Sequence, residues 1–151
     1  MAGFRYNLQS ILNIKIKMET LAKQEFQAAQ NALDEEIEKL EALKSRKGEY
    51  ETKAHSLLQG ILNVREIEDN KNAILMMDQY IAEQQIQVKR AEKQMENARE
   101  KLAEVMKERK MHETLREKAF ESFLQEENRQ ESKAVDELTS YTYGQKRQVK
   151  E

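Results

Sequence analysis

Apolar residues recur at alternating steps of three and four along the second half of the chain. Eleven of the fifteen positions that these steps reach are apolar, although only 38% of the sequence is hydrophobic. A repeat of about 3.5 residues predicts a left-handed coiled-coil helix. This series, the second-helix seam, is Ile74, Met77, Ile81, Gln84, Val88, Ala91, Met95, Ala98, Leu102, Val105, Arg109, His112, Arg116, Ala119 and Phe123.

Polar residues interrupt the second-helix seam near its end. Arg109, His112 and Arg116 occupy three consecutive seam positions, while Met111 and Leu115 lie just beside the seam. Phe120 is similarly displaced. This arrangement predicts a shift of register in that stretch.

The first part of the chain carries a less regular apolar stripe with a similar mean step. Such a stripe predicts a second amphipathic helix that can pack on the first. Its members are Leu8, Ile11, Met18, Ala22, Phe26, Ala29, Leu33, Ile37, Leu40, Leu43, Tyr50, Ala54, Leu57 and Ile61.

A stop signal and a start signal adjoin between the two stripes. Gly60 suits the position just past a helix end, and Asn63 followed by Glu66 resembles a capping box. We therefore predict an all-α protein, an antiparallel two-helix coiled-coil hairpin in which the second helix is the longer. A turn at Lys47 and Gly48 is the competing topology.

The predicted boundaries describe one hairpin domain over residues 1–151. Helix 1 spans about 4–59, the turn 60–63, helix 2 about 64–140, and a flexible tail 141–151. Pairing about residue 62 leaves the end of helix 2 without a partner helix.

The amino-acid composition favours long helices and excludes several classes of function. The chain has no Pro and four Gly, 36% of its residues are charged, and the formal net charge is −2. The absence of Pro favours uninterrupted helix, and a near-neutral balance gives no bulk attraction to nucleic acid. There is no Cys and no apolar run long enough for a membrane span. We expect a cytoplasmic protein without direct membrane insertion.

No pattern of catalytic, cofactor-binding or metal-ligating residues is present in the sequence. The two histidines, His55 and His112, have no second His or Cys at ligand spacing. We therefore predict no enzyme activity, no cofactor and no metal. Binding to other proteins is the class of function that remains. Met76, beside Leu75 and Tyr80, is one candidate contact surface.

The unpaired end of helix 2 is the other candidate surface. Apolar residues continue there at helical spacing among charged neighbours, which indicates either docking to another protein or self-association. They are Phe120, Phe123, Leu124, Val135 and Leu138.

Three groups of segments stand out in the sequence. The first is the opening Phe4-Arg5-Tyr6-Asn7-Leu8-Gln9-Ser10-Ile11-Leu12. The second is Gly60 to Ile67 with Tyr80-Ile81, and the third is Thr114 to Lys118, Glu127-Asn128-Arg129, Lys133 and Asp136-Glu137-Leu138. They resemble, in this order, the usual start, the hairpin region and the C-terminal signature of the FliJ family of flagellar type III export proteins.

The resemblance implies a non-catalytic adapter resembling the central stalk of a rotary ATPase. Such a protein would insert into the ring of the export ATPase FliI, promote its assembly, contact the export gate protein FlhA and help cycle export chaperones. It would lie at the cytoplasmic face of the export apparatus, at the inner membrane, in a motile flagellated cell. The equivalent stalk protein of a virulence type III system, and a structural homodimeric coiled-coil scaffold, are the alternatives.

The resemblance also suggests which residues meet each partner. The implied export-gate residues are Ala73, Met77, Tyr80 and Gln84. The implied ATPase-binding residues are Leu8, Leu12, Glu117, Phe123, Leu124, Glu127, Arg129, Lys133, Asp136 and Glu137.

Overall fold

Two long helices make up the fold, as the sequence predicts. The computed structural model describes residues 3–149, and side chains as far as 145. Helix α1 spans Gln9–Leu57 and helix α2 spans Val64–Val149, with no strand among the described residues. Helix α1 begins a few residues later than expected, since the Gln9 N–H donates to the Tyr6 carbonyl (3.0 Å) in a preceding turn.

The connection between the helices has the predicted stop and start chemistry. Gly60 has a φ of 78°, a left-handed conformation that Gly adopts without the steric penalty of a side chain. Asn63 caps α2: its Oδ1 accepts from the Glu66 N–H at 3.4 Å, and its carbonyl accepts from the Ile67 N–H at 3.1 Å. Helix α1 continues through Gly48, so the competing turn is not formed.

Backbone contacts divide the chain into two compact units. The loop unit is Glu19–Val105, and the terminal unit combines Met1–Met18 with Met106–Glu151. Within the loop unit, Lys101 pairs with Glu25 at 3.0 Å and Lys47 with Asp78 at 2.6 Å. Within the terminal unit, Lys15 pairs with Glu108 at 2.8 Å. A second contact of the terminal unit joins Gln9 to Arg116 at 2.9 Å. In each unit the partner residue on α2 therefore has a lower number as the residue on α1 has a higher one, so the helices are antiparallel.

The covered face of α1 is a regular heptad seam that includes charged residues. Steps of three and four connect its members without a break, although Lys15, Glu19, Glu36 and Lys47 are among them. Five of the predicted stripe residues are instead exposed: Leu8, Ile11, Met18 and Ile37, and also Ile61, which lies beyond the end of α1. The seam is Leu12, Lys15, Glu19, Ala22, Phe26, Ala29, Leu33, Glu36, Leu40, Leu43, Lys47, Tyr50, Ala54 and Leu57.

On α2, the predicted seam is covered at every position except Arg116. Val88, Ala91 and Val105 are buried, and Asn70 extends the seam towards the loop by donating to the Tyr50 carbonyl at 3.1 Å. The expected register shift does not occur in the described residues. Arg109 and His112 stay partly covered in the original register, while Met111 and Leu115 are exposed.

Helix α2 continues beyond the predicted end near residue 140. Its last described residue is Val149, so most of the stretch expected to be a tail is helical. Lys150 and Glu151, the remainder of that predicted tail, lie outside the described residues. Helix α2 is the longer helix, with 86 residues against 49 for α1.

Candidate partner-binding surfaces

An aromatic cluster fastens the segment before α1 to α2 in the terminal unit. The ring centroid of Phe4 lies 5.0 Å from that of Phe120 and 5.5 Å from that of Phe123. The Arg116 guanidinium lies 5.9 Å from the Phe4 centroid and donates through Nε to Gln9 Oε1 at 2.9 Å. Aromatic edge contacts and a cation over a ring are each favourable. Arg116 therefore stabilises this cluster although its own side chain is exposed.

Charged groups join α1 and α2 elsewhere in the terminal unit. The Lys15 ammonium donates to Glu108 Oε2 at 2.8 Å, and this hydrogen bond, with the attraction of the two charges, lowers the pKa of Glu108 below its ordinary value of 4.5. Arg109, which directly follows Glu108, donates to Glu113 one turn further along α2 at 2.7 Å. His112 lies between Arg109 and Glu113 in the sequence, and its Nδ1 is buried without a hydrogen bond to a described residue. Lys15 and Glu108 thus pair across the two helices, whereas Arg109 and Glu113 pair within α2.

Beyond the aromatic cluster, α2 has no neighbouring helix among the described residues. We call its residues 124–145 the overhang. All of them except the half-buried Glu127 are exposed, including the large apolar side chains of Leu124, Val135, Leu138 and Tyr141. Five acidic and two basic residues lie along it. The overhang is therefore an acidic helix whose apolar groups have no cover in the described chain.

The residues implied to meet the ATPase divide into three structural settings. Leu12 is buried against α2 at 3% exposure, and Phe123 belongs to the aromatic cluster, so both hold the unit together. Leu8 and Glu117 are exposed beside the paired helices. The remaining six lie on the overhang: Leu124, Glu127, Arg129, Lys133, Asp136 and Glu137.

The sequence interpretation missed one exposed surface of the terminal unit. Outside the overhang, Ile14, Met111 and Leu115 are the most exposed large apolar side chains of the described terminal unit, and Ile11 and Met18 are exposed with them. Ile11 and Met18 were assigned to the seam, and Ile14 was assigned to no surface. Tracing two parallel heptad series on α1, one covered and one exposed, could have separated them.

In the loop unit, the connection between the helices exposes several aliphatic side chains. Leu58, Ile61, Leu62 and Val64 are exposed there, and Ile61 is fully so. An apolar groove opens next to the connection. It is lined by Ala54, Leu57, Leu58, Ile67, Ile74 and Leu75.

The four residues implied to meet the export gate lie further along α2. Tyr80 is exposed, and Ala73 is half-buried. Met77 is buried against α1, and the Gln84 side-chain amide donates to the Glu36 carbonyl at 2.9 Å. Only Tyr80 presents a large side chain to solvent, with Leu75 and Met76 exposed nearby as the sequence indicates.

The described chain contains neither a membrane-spanning helix nor a cluster of metal-ligating side chains. None of the helices within residues 3–149 has the length and apolar character that crossing a bilayer requires. No group of three or more potential metal-ligating side chains occurs among the described side chains.

These features define an antiparallel two-helix coiled-coil protein whose exposed apolar groups lie on the overhang, beside the seam and at the connection. The model of the flagellar FliJ protein family matches residues 4–148. The chain therefore belongs to the FliJ family, whose members are non-catalytic components of type III export.

Comparison with solved structures agrees with this fold. A protein described as a candidate YscO homolog, CT670 from Chlamydia trachomatis, superposes with a TM-score of 0.65 at 23% sequence identity. The match covers 97% of this chain and 99% of that chain. At this identity the likeness shows the fold alone. No curated protein sequence matches the chain.

Proposed function

We propose that this chain is a flagellar export adapter that docks the terminal unit into the ring of an export ATPase. Docking promotes assembly and activity of the ring, and other surfaces of the chain contact the export gate and export chaperones. The chain acts at the cytoplasmic face of the export apparatus. Membership of the FliJ family supports this proposal.

The overhang is the observation that carries the proposal. Leu124, Val135 and Leu138 are large apolar groups on one stripe of a helix that nothing covers among the described residues, and an exposed apolar stripe of this kind is typical of a protein contact site. Arg129 and Lys133 are exposed one turn apart, where both can meet acidic groups of a partner. The aromatic cluster fixes the base of this helix to the rest of the terminal unit.

Removal of the overhang tests the proposal directly. A chain ending at Gln125 keeps the aromatic cluster and both seams, so its helicity per residue and coiled-coil melting should match those of the full chain. It should lose binding to the cognate export ATPase and stimulation of ATP hydrolysis. Full stimulation by the shortened chain would place ATPase docking elsewhere and overturn the proposal.

Charge reversal gives a second test with a matched control. Arg129→Glu with Lys133→Glu should weaken ATPase binding, and the defect should depend on salt because exposed charges are screened. Lys89→Glu with Lys93→Glu reverses two exposed charges at the same spacing in the loop unit. This control should bind normally. Equal loss in both variants would indicate a non-specific charge effect.

For the export gate, the exposed Tyr80 with Leu75 and Met76 is the contact we propose, because Met77 and Gln84 are engaged with α1. Tyr80→Ala should weaken gate binding while ATPase stimulation is unchanged. A stalk protein of a virulence type III system is the second candidate function. The fold shared with the candidate YscO homolog supports it, and complementation of a flagellar export mutant distinguishes the two.

A further inference from the structure

One side of the terminal unit carries an apolar surface outside the seam. Ile11, Ile14 and Met18 recur at steps of three and four on α1, and Met111 and Leu115 do so on α2. We call these five residues the side face. Ile14 is 55% exposed and Met111 56% exposed, and the other three are each more than a third exposed.

The ion pair between Lys15 and Glu108 places both halves of the side face on the same side of the unit. Ile11 and Met18 lie four residues before and three residues after Lys15, so they share its flank of α1. Met111 and Leu115 lie three and seven residues after Glu108, on its flank of α2. Because Lys15 Nζ contacts Glu108 Oε2 at 2.8 Å, these two flanks adjoin.

Charge distinguishes the side face from the overhang. Residues 3–18 contain three basic residues and no acidic one, and residues 106–118 contain five basic and three acidic residues. The overhang has the opposite balance, with five acidic and two basic residues. Lys110 and Lys118 are exposed next to Met111 and Leu115, and Glu131 is exposed between Leu124 and Leu138. The two surfaces are therefore complementary in sign as well as both apolar.

The overhang also has an apolar stripe and enough length to cover the side face. Leu124 and Leu138 are two heptads apart, and Val135 lies three residues before Leu138, so the three share one stripe of α2. At 1.5 Å per residue the overhang extends about 33 Å, whereas α1 between Ile11 and Met18 spans about 10 Å.

We propose that the occupant of the side face is the overhang of a second copy of this chain. In this dimer each overhang lies on the side face of its partner, so a two-fold axis relates two identical contacts. Apolar stripes form the centre of each contact, and the lysines beside the side face meet the carboxylates of the overhang. The dimer is dissociable, and its stability falls as salt screens these charges. It uses the same overhang as the proposed ATPase contact, so one overhang cannot make both contacts at once, but its test requires only this chain.

Sedimentation equilibrium of the purified full chain tests the dimer. A concentration-dependent dimer is expected at low salt, with a dissociation constant that rises at least about tenfold at high salt. Ile14→Glu with Leu115→Glu should also raise that constant at least about tenfold, because both contacts lose apolar burial. Ile86→Glu, at a comparably exposed position in the loop unit, should leave it unchanged. The proposal would be overturned if the chain stayed monomeric at low salt, or if Ile86→Glu raised the dissociation constant as much as Ile14→Glu with Leu115→Glu.

A charge-swapped pair distinguishes this arrangement from overhang-to-overhang or face-to-face contacts. Lys110→Glu with Lys118→Glu reverses the balance of residues 106–118, the α2 half of the surroundings of the side face, to three basic and five acidic residues, and Glu127→Lys with Glu131→Lys makes the overhang basic. Each variant alone then opposes like charges and should be mainly monomeric. Mixed together, they restore opposite charges at both contacts and should form a one-to-one heterodimer. A mixture that remains monomeric, or variants that each dimerise like the parent chain, would contradict the proposal.

Discussion

The loop unit and the terminal unit use the same two helices in different ways. In the loop unit most seam positions are apolar, including Ala22, Val88, Ala91 and Val105, all of which are buried. In the terminal unit the seam passes through Lys15, and the exposed surface carries Ile14, Met111 and Leu115. The first arrangement gains stability from apolar burial. The second leaves large apolar side chains exposed and orders its helices with aromatic and charged contacts.

If this contrast is correct, the loop unit should be the region most sensitive to a buried charge. Val88→Asp places a carboxylate at a position only 9% exposed, next to α1. Burying an unpaired charge should lower the free energy of unfolding by about 3 kcal/mol or more. Urea unfolding followed by circular dichroism measures this loss.

Ile86→Asp is the control for that substitution. Ile86 lies two residues away on the same helix and is 53% exposed. Its replacement should change the free energy of unfolding by no more than about 0.5 kcal/mol. Similar losses in the two variants would mean that Val88 does not lie in a packed seam.

The sequence predicted the loop-unit fold well because apolar spacing and local signals agree there. Gly60 and Asn63 mark the connection by chemistry that depends only on neighbouring residues, and the structure has both features. The second-helix seam was traced correctly because most of its members are apolar. On α1 the seam was misplaced at Lys15 and Glu36, because a charged seam residue is recognised only when its partner on the other helix is known.

The candidate surfaces could be predicted less completely. The overhang was foreseen because α2 is longer than α1, a property of the helix boundaries alone. The side face was missed because Ile11 and Met18 are also consistent with a seam when α1 is considered by itself. Whether each residue faces α2 or solvent depends on the register between the helices, which the sequence of one helix does not specify.

A smaller effect is expected from the aromatic cluster of the terminal unit. Phe120→Ala removes the edge contact with Phe4 at 5.0 Å and should destabilise the terminal unit by about 1 kcal/mol. Amide hydrogen exchange of residues 3–18 should become faster, whereas exchange in the loop unit should change little.

Two comparisons test whether that loss comes from the ring contact. In a double-mutant cycle, Phe4→Ala and Phe120→Ala should show a coupling of about 0.5 to 1.5 kcal/mol. Tyr80→Ala removes an aromatic side chain of similar exposure in the loop unit, 41% against 43% for Phe120. It should leave exchange in residues 3–18 unchanged. Faster exchange in Tyr80→Ala would show that the two units do not respond separately.

The smallest effects should come from the ion pairs, and they should appear at opposite ends of the pH scale. The Lys15 ammonium donates a hydrogen bond to Glu108 and lowers the pKa of its carboxyl group, so the folded state favours the carboxylate. The resulting stability is present above the ordinary value of 4.5 and is lost as pH falls through the lower folded pKa. In the loop unit, the hydrogen bond to Asp78 raises the pKa of Lys47 above 10.5. That contribution is present below 10.5 and is lost as pH rises through the higher folded pKa.

Melting temperatures measured across pH separate these two contributions. Glu108→Gln should reduce the acid-dependent fall in melting temperature, and Asp78→Asn should reduce the alkaline loss. Glu121→Gln, an exposed carboxylate in the terminal unit, is the control and should alter neither limb appreciably. Both effects should be smaller than those of Val88→Asp and Phe120→Ala, because exposed ion pairs are screened by water and salt. If Glu108→Gln and Glu121→Gln gave the same acid limb, the pair of Lys15 with Glu108 would contribute nothing to the stability of the terminal unit.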